Sequence, residues 1–396
     1  MRILFVHADV KNESGNDIVQ ALNKIGYEAE ELPSLQSVPT SQLENGRIEE
    51  LELYIREHEI DVLISIYFIM NAALASYETH IRYISILWDA PTMNIYNLLG
   101  RLEHIWVSTF DQLDRKRFLG NGIRHVLYQP LAINKNKMLN WNEEIQSTLR
   151  RNYIHDISFI GSLYDDNPYD TFVGGFPDHI RAYFNSIFEE AAFRWDGVNR
   201  IYGKTSKEIV EYLHRINPEL KIFSGQDIDD VQYFEGLYLI RKIANIERIA
   251  VLNLLAENNY VTLYTGSSGK EKLINVNVGP PVVYGKATSL VYAGSKINLN
   301  ISLKGIERGT PQRIMDIMGA GGFVLSSYSP ETAELFEEDI EIVMFRSPEE
   351  LVEKTDYYLL HDKEREQIAK AGYEKVITCY TYEKKMEELM NWIGSK

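Results

Sequence analysis

Only one cysteine, Cys379, occurs in the 396 residues, so neither an internal disulfide nor a paired-cysteine metal site can be built. No stretch approaches the roughly 18 consecutive apolar residues that would read as a membrane-spanning helix. Basic residues are outnumbered: 41 Lys and Arg face 57 Asp and Glu, for a net charge of −16. That balance argues against non-specific binding to nucleic acid or an anionic membrane, because both need clustered cations. The nine histidines show no ligand spacing and no His-Glu-x-x-His exists, so no metal is implied. No Gly-x-Gly-x-x-Gly follows a predicted strand, which counts against a dinucleotide dehydrogenase. GSSGK fails as a phosphate loop, because a Walker A motif needs glycine and Ser or Thr where this chain has Tyr264 and Glu271. Asp227, Asp229 and Asp230 resemble a metal-binding D-x-D but stand immediately before a helical pattern, where the helix dipole favours acids.

What is present is a length above that at which one hydrophobic core stops growing, which predicts two domains. The opening MRILFVHADV has too short an apolar run for a signal peptide and reads as a first strand. With the single cysteine, this gives the expectation of a soluble cytoplasmic protein. Short apolar runs (ILFVH, VLISIYF, YISILW, HIWVST, HVLYQPL) alternate with amphipathic stretches over residues 1–150, the pattern of a mostly parallel sheet. A polar segment, INKNKMLNWNEEIQSTLRRN, reads as the link to a second β-α series that starts at DISFIGSLYDDN. That series is interrupted by a helical insertion at about 177–259 and resumes with VTLYTG, PVVYG, KINLNIS, GGFVLSSY and EIVMF. The predicted division is 1–150, 151–376 and a final helix at 377–396, giving an α/β enzyme of two parallel β-α lobes with a cleft between them.

Parallel sheets bind ligands at the carboxyl ends of their strands, so polar residues there are the candidates. In the first lobe these are His7 and Asp9 after the first strand and Tyr67, Trp88 and Asp89 after later ones. His7, Asp9 and Asp89 are the plausible general bases, with Tyr67, Trp88 and Asp9 on the acceptor side. A turn by Asp89 and Pro91 with Trp88 packed beneath it is the plainer reading. In the second lobe, Gly161, Ser162 and Gly266 follow strands where a backbone could approach a ligand, and Asn298 lies in KINLNIS.

The richest stretch is GIERGTPQRIMDIMGAGG, residues 305–322. Thr310 as N-cap and Pro311 as first helical residue would start a helix whose free N–H groups, with Arg308 and Gly309, form an anion site. Arg313 and Asp316 are spaced to share a helix face. A nucleotide sugar would use both, its diphosphate on the cation and its ribose diol on the carboxylate. The alternative is a surface ion pair, with Gly321 and Gly322 merely ending the helix.

KINLNIS, GTPQRIMDIMGAGGFVLSSY and the acidic helices that follow resemble the glycosyltransferase-like domain of the spore maturation protein CgeB family, with WDAP and FIGSLY in the matching order upstream. The resemblance implies a GT-B fold, a carboxy-terminal lobe that holds a nucleotide sugar, a UDP-sugar donor, no cofactor and no obligatory metal. Asp316 matches the acidic residue that binds the donor ribose in related enzymes. Arg308 stands where many carry a glutamate, so the retaining mechanism tied to that pair is not carried over. The last helix is implied to cross back onto the first lobe. The expected activity is transfer of a sugar to a hydroxyl of a glycan, protein or small molecule. An epimerase-like enzyme of the same fold, or a non-catalytic assembly protein using the insertion as an oligomer interface, are the rivals.

Overall fold

Most of the strands are apolar along nearly their whole length, the signature of parallel sheets covered on both faces. The computed structural model describes residues 1–7, 13–32, 44–149, 152–217 and 230–395. They form two units. The first contains β1 (Arg2–Val6), α1 (Glu13–Lys24), β2 (Glu28–Glu31), α2 (Asn45–Glu57), β3 (Val62–Ile66), α3 (Met70–Thr79), β4 (Arg82–Ile86), β5 (Ile105–Thr109), α4 (Gln112–Gly120) and β6 (His125–Tyr128). Its six strands run parallel in the order β2-β1-β3-β4-β5-β6. The chain moves outward from β1 in both directions, so the crevice between β1 and β3 is a switch point, where open sheets receive ligands.

The second unit begins at Lys135, and the predicted boundary near residue 150 is therefore corrected to Asn134. The polar segment read as a link is a helix, α5 (Lys135–Leu149), which buries Met138, Ile145 and Leu149. These three share one side of a helix despite the polar residues between them. Then come β7 (His155–Ile160), α6 (Pro168–Phe172), α7 (Asp178–Ala191), α8 (Lys207–Ile216), α9 (Asp230–Phe234), a π-helical turn at Glu235–Leu239 and α10 (Ile240–Ala256). α10 lays Val251, Leu252 and Leu255 against the core beneath the second sheet.

The remainder is β8 (Val261–Tyr264), β9 (Asn277–Gly279), α11 (Lys286–Ala293), β10 (Ser295–Asn300), α12 (Gln312–Gly319), β11 (Val324–Ser327), α13 (Pro330–Leu335), β12 (Val343–Phe345), α14 (Pro348–Leu360) and α15 (Asp362–Cys379). PVVYG is not a strand. Pro280 and Pro281 cannot donate to a ladder, so pairing stops at Gly279 and Val283 lies 80% exposed. The six parallel strands are ordered β12-β11-β10-β7-β8-β9, with the switch point between β7 and β10.

The chain then returns to the first unit as α16 (Tyr382–Gly394). Thr381 caps it by accepting from Lys384 N, while Ile133 and Tyr382 exchange backbone bonds of 3.0 Å with Tyr380 O and Ile133 O. Tyr382, Met386, Leu389, Met390 and Ile393 are buried in the first core.

Candidate functional site

The switch point of the second unit is lined by two arginines, Arg248 and Arg313, that make no ion pair among the described residues. Asn300, at the end of β10, is fully buried and spends its amide N–H groups on Ser302 Oγ and Ser326 Oγ, both at 2.9 Å. Its oxygen accepts from Arg313 Nη1 at 2.8 Å. Arg313 thereby lies over the Phe159 ring, 4.9 Å from its centre. Gly161 makes this possible, since a Cβ there would stand 3.0 Å from both Arg313 Nη2 and Phe159 Cζ. Glycine is needed here for the close approach of a side chain, not for turn geometry.

A second guanidinium, Arg248 of α10, lies 5.2 Å from the centre of the same ring and is wholly buried. Its Nη1 donates to Ser162 O at 2.6 Å and its Nη2 to Ile301 O at 2.9 Å, tying together the loops after β7 and β10. Nε has no hydrogen-bond partner among the described residues. Burial, and then the charge of Arg313, bring its pKa down to about 10. The adjacent Glu247 is already engaged by Lys304 at 3.2 Å and by Phe193 N at 2.9 Å. Two cations held by carbonyl and amide oxygens and repelling one another are an arrangement that an anion between them would relieve.

One helical turn beyond Arg313, Asp316 is 5% exposed, and its Oδ1 accepts from Gln312 Nε2 at 2.9 Å and Tyr284 OH at 3.1 Å. Burial raises its pKa to about 6, opposed by those hydrogen bonds and by Arg313. Arg313 and Asp316 thus bond to different partners and are not the surface ion pair of the plainer reading.

Several predicted donor residues are placed differently. Pro311, extended at ψ 148, occupies the cap position of α12, whose first residue is Gln312. Thr310 is buried, with its hydroxyl 3.0 Å from Thr332 Oγ1, so it does not cap the helix. Arg308 is ion-paired with Glu334, and the carbonyls of Arg308 and Gly309 accept from Ser329 Oγ. Asn298 is a sheet residue, donating to Tyr292 O and Phe323 O and accepting from Ser158 Oγ. Gly321, at φ +75, and Gly322 return their N–H groups to Met318 O and Ile317 O, closing α12 at the end away from Arg313. Asn298, Gly321 and Gly322 thus lie apart from the Arg313 end of α12.

Ser162 Oγ accepts from Tyr164 N at 2.9 Å, and Gly266 is an open loop position after β8. In the same loop the N–H groups of Ser268 and Gly269, with Ser268 Oγ, all bind Asp165 Oδ2 at 2.6–2.8 Å. Asp165 occupies these donors itself, and against desolvation the hydrogen bonds bring its pKa down to about 2.

In the first unit, His7 is 6% exposed and its Nε2 lies 3.1 Å from Glu31 Oε2. Asp89 is exposed, accepts from Tyr67 OH at 2.9 Å, and follows β4. Tyr67 holds φ +66, a conformation side chains rarely adopt, and Trp88 stacks on Tyr382 at 6.1 Å and 7°. Asp9, Asp227 and Asp229 lie outside the described residues, while Asp230 opens α9. Among the described residues no group of three or more His, Cys, Asp or Glu could hold a metal, and no helix is long and apolar enough to cross a membrane.

Sequence reasoning missed Arg248, Asn300, Tyr284 and the side chain of Gln312. Asn300 follows Asn298 at a strand end and was open to discovery; Arg248 sits amid a long helix and carries no local signal.

Residues 247–391 match the model of a glycosyl transferase-like family, a span that covers less than half of the chain. No curated protein matches the chain in sequence. The Anabaena protein HepE in complex with UDP aligns over 100% of both chains at 10% identity with a TM-score of 0.53. Sucrose-phosphate synthase of Thermosynechococcus elongatus aligns over 100% of this chain and 99% of its own at 7% identity and a TM-score of 0.56. A DNA-modifying β-glucosyltransferase, solved with and without uridine diphosphoglucose, aligns over 98% of each chain at 8% identity and 0.52. These likenesses show the fold: two Rossmann-like α/β lobes of the GT-B type.

Proposed function

We propose that the protein is a glycosyltransferase that moves a sugar from a UDP-sugar to a hydroxyl acceptor. The observation that carries this reading is the pairing, at one switch point, of the Arg248–Arg313 cluster with the buried carboxylate of Asp316 one turn further on. A nucleoside diphosphate presents the complementary groups at that spacing, a diphosphate and a ribose diol. UDP and UDP-glucose are bound by the structural neighbours, which supports uridine as the base.

In this reading the sugar C1–O bond to the diphosphate breaks as the acceptor oxygen bonds to C1. Arg313 and Arg248 stabilise the negative charge that grows on the leaving phosphate, without any cofactor or obligatory metal. The acceptor belongs to the first unit. For an inverting reaction Asp89 takes the acceptor proton, oriented by Tyr67. Asp89 is preferred over His7, because His7 is buried against Glu31.

Calorimetric titration of UDP into the full chain tests this directly. Measurable binding to the natural protein, weakened about tenfold or more in Arg313→Ala, is expected for loss of a charge-assisted contact. Absence of UDP binding, or equal affinity in Arg313→Ala, sinks the assignment.

A further inference from the structure

The second unit has a cavity of about 540 Å³ at the amino ends of β10 and β11, the edge opposite the arginine cluster. Asn142, Asn152, Lys296, Gly321, Arg365 and Lys370 are among its lining residues. Its size lies within the range of small-molecule sites. α5 is braced across it by Asn142 Nδ2, which donates to Gly319 O at 3.0 Å. The other amide atom, Asn142 Oδ1, is buried with no partner among the described residues.

Arg365 is the unusual member. It is only 1% exposed, yet just one of its nitrogens makes a hydrogen bond among the described residues: Nη1 donates to Tyr358 O at 2.6 Å, while Nη2 lies 2.7 Å from the carboxylate of Asp362, itself 66% exposed, outside hydrogen-bonding geometry. Nε has no hydrogen-bond partner among the described residues, and the guanidinium lies 5.2 Å from the centre of the Tyr153 ring. A buried guanidinium N–H left unpaired is costly unless a ligand or solvent completes it.

The lining carries three cations and one acid, Glu366. Lys296 pairs with Asp156 at 2.6 Å and Lys370 with Glu374 at 3.8 Å, while Glu366 lies 3.4 Å from Tyr153 OH. Arg365 also stands in the first turn of the 18-residue α15, the positive end of its dipole.

From this geometry we infer that the cavity is a second ligand site, which takes a small molecule bearing a phosphate or carboxylate on Arg365 with its body against Asn142 and Asn152. It shares no residue with the arginine cluster, so it stands or falls independently of the transferase reading.

The test is calorimetric titration of inorganic phosphate, and separately of citrate, into full-length Arg313→Ala protein, in which the cluster at the other strand ends has lost one of its two guanidinium groups. Saturable binding of either anion is expected, and the anion that binds identifies which acid is preferred. Adding Lys370→Glu, a substitution at a side chain 75% exposed, is expected to weaken that binding about tenfold, and Arg365→Gln to abolish it. Should Arg365→Gln fail to fold, the Lys370→Glu comparison decides alone. No binding of either anion to Arg313→Ala protein, as expected if only water fills the cavity, overturns the inference. Affinity unmoved by Lys370→Glu overturns it equally.

Discussion

Replacing Asp316 with asparagine separates what a buried charge costs from what it does. The pKa stands at about 6 rather than 3.8, chiefly because burial disfavours the ionised form. At about 1.36 kcal/mol per pH unit, that difference makes the ionised carboxylate destabilising by about 3 kcal/mol. A folded-state pKa raised in this way adds stability that is complete below about pH 4 and lost as the pH rises past about 6. The amide keeps an oxygen to accept from Gln312 and Tyr284, but its new N–H groups need partners, offsetting about 1–2 kcal/mol. The net gain at neutral pH is then about 1–2 kcal/mol, or a rise in Tm of about 2–8 °C for a unit of this size. The same change removes the charged acceptor for a ribose diol, weakening UDP by about 10- to 100-fold. Thermal unfolding from about pH 5 to about pH 8, with UDP calorimetry at the upper end, reads both effects. The protein should become sturdier and less able to bind. A variant no more stable than the natural protein at neutral pH refutes the buried-charge argument. Unchanged UDP affinity refutes the ribose assignment.

Gly161→Ala is expected to weaken UDP about tenfold by pressing a methyl on Arg313 and Phe159, with the urea midpoint little changed; equal affinity would show that this close approach does not set the site. Asp165→Ala should lower unfolding stability by about 1–3 kcal/mol in urea titration, because it strips Ser268 and Gly269 of their shared acceptor. Its depressed pKa means that the natural protein keeps this contribution above about pH 4 and loses it as the pH falls past about 2, so the two proteins should converge in acid. Lys385 is buried against Gln129 O and Pro130 O, and desolvation brings its pKa down to about 7. The charged amine is therefore a burden below about pH 7 that lifts as the pH rises toward about 10. Tm measured across that range should climb more steeply for the natural protein than for Lys385→Met.

Much of the fold was legible because continuous apolar runs such as VLISI and ILFV have no other use than as central parallel strands. The errors have local causes. Residues 133–152 look like a linker because only every third or fourth side chain of α5 is apolar, and PVVYG looks like a strand until its two prolines are counted against the ladder. At the candidate site, Asp316 and Arg313 were legible as candidates because their spacing and the preceding turn lie in one short stretch. Arg248 was not, because its relation to Phe159 depends on how α10 crosses the sheet. Gly321, Gly322 and Asn298, close to Arg313 and Asp316 along the chain, fall at the far end of α12 or within the sheet itself, a placement that spacing alone does not show.

The late position of α16 sets an order of events during synthesis. The first unit cannot bury the apolar faces that await Tyr382, Met386, Leu389, Met390 and Ile393 until the whole second unit has left the ribosome. The half made first is therefore the half completed last, and it must wait with part of its core open to chaperones while its neighbour folds. A nascent chain that ended between Phe345 and Thr381 would carry every strand of the second sheet and an unsealed first one.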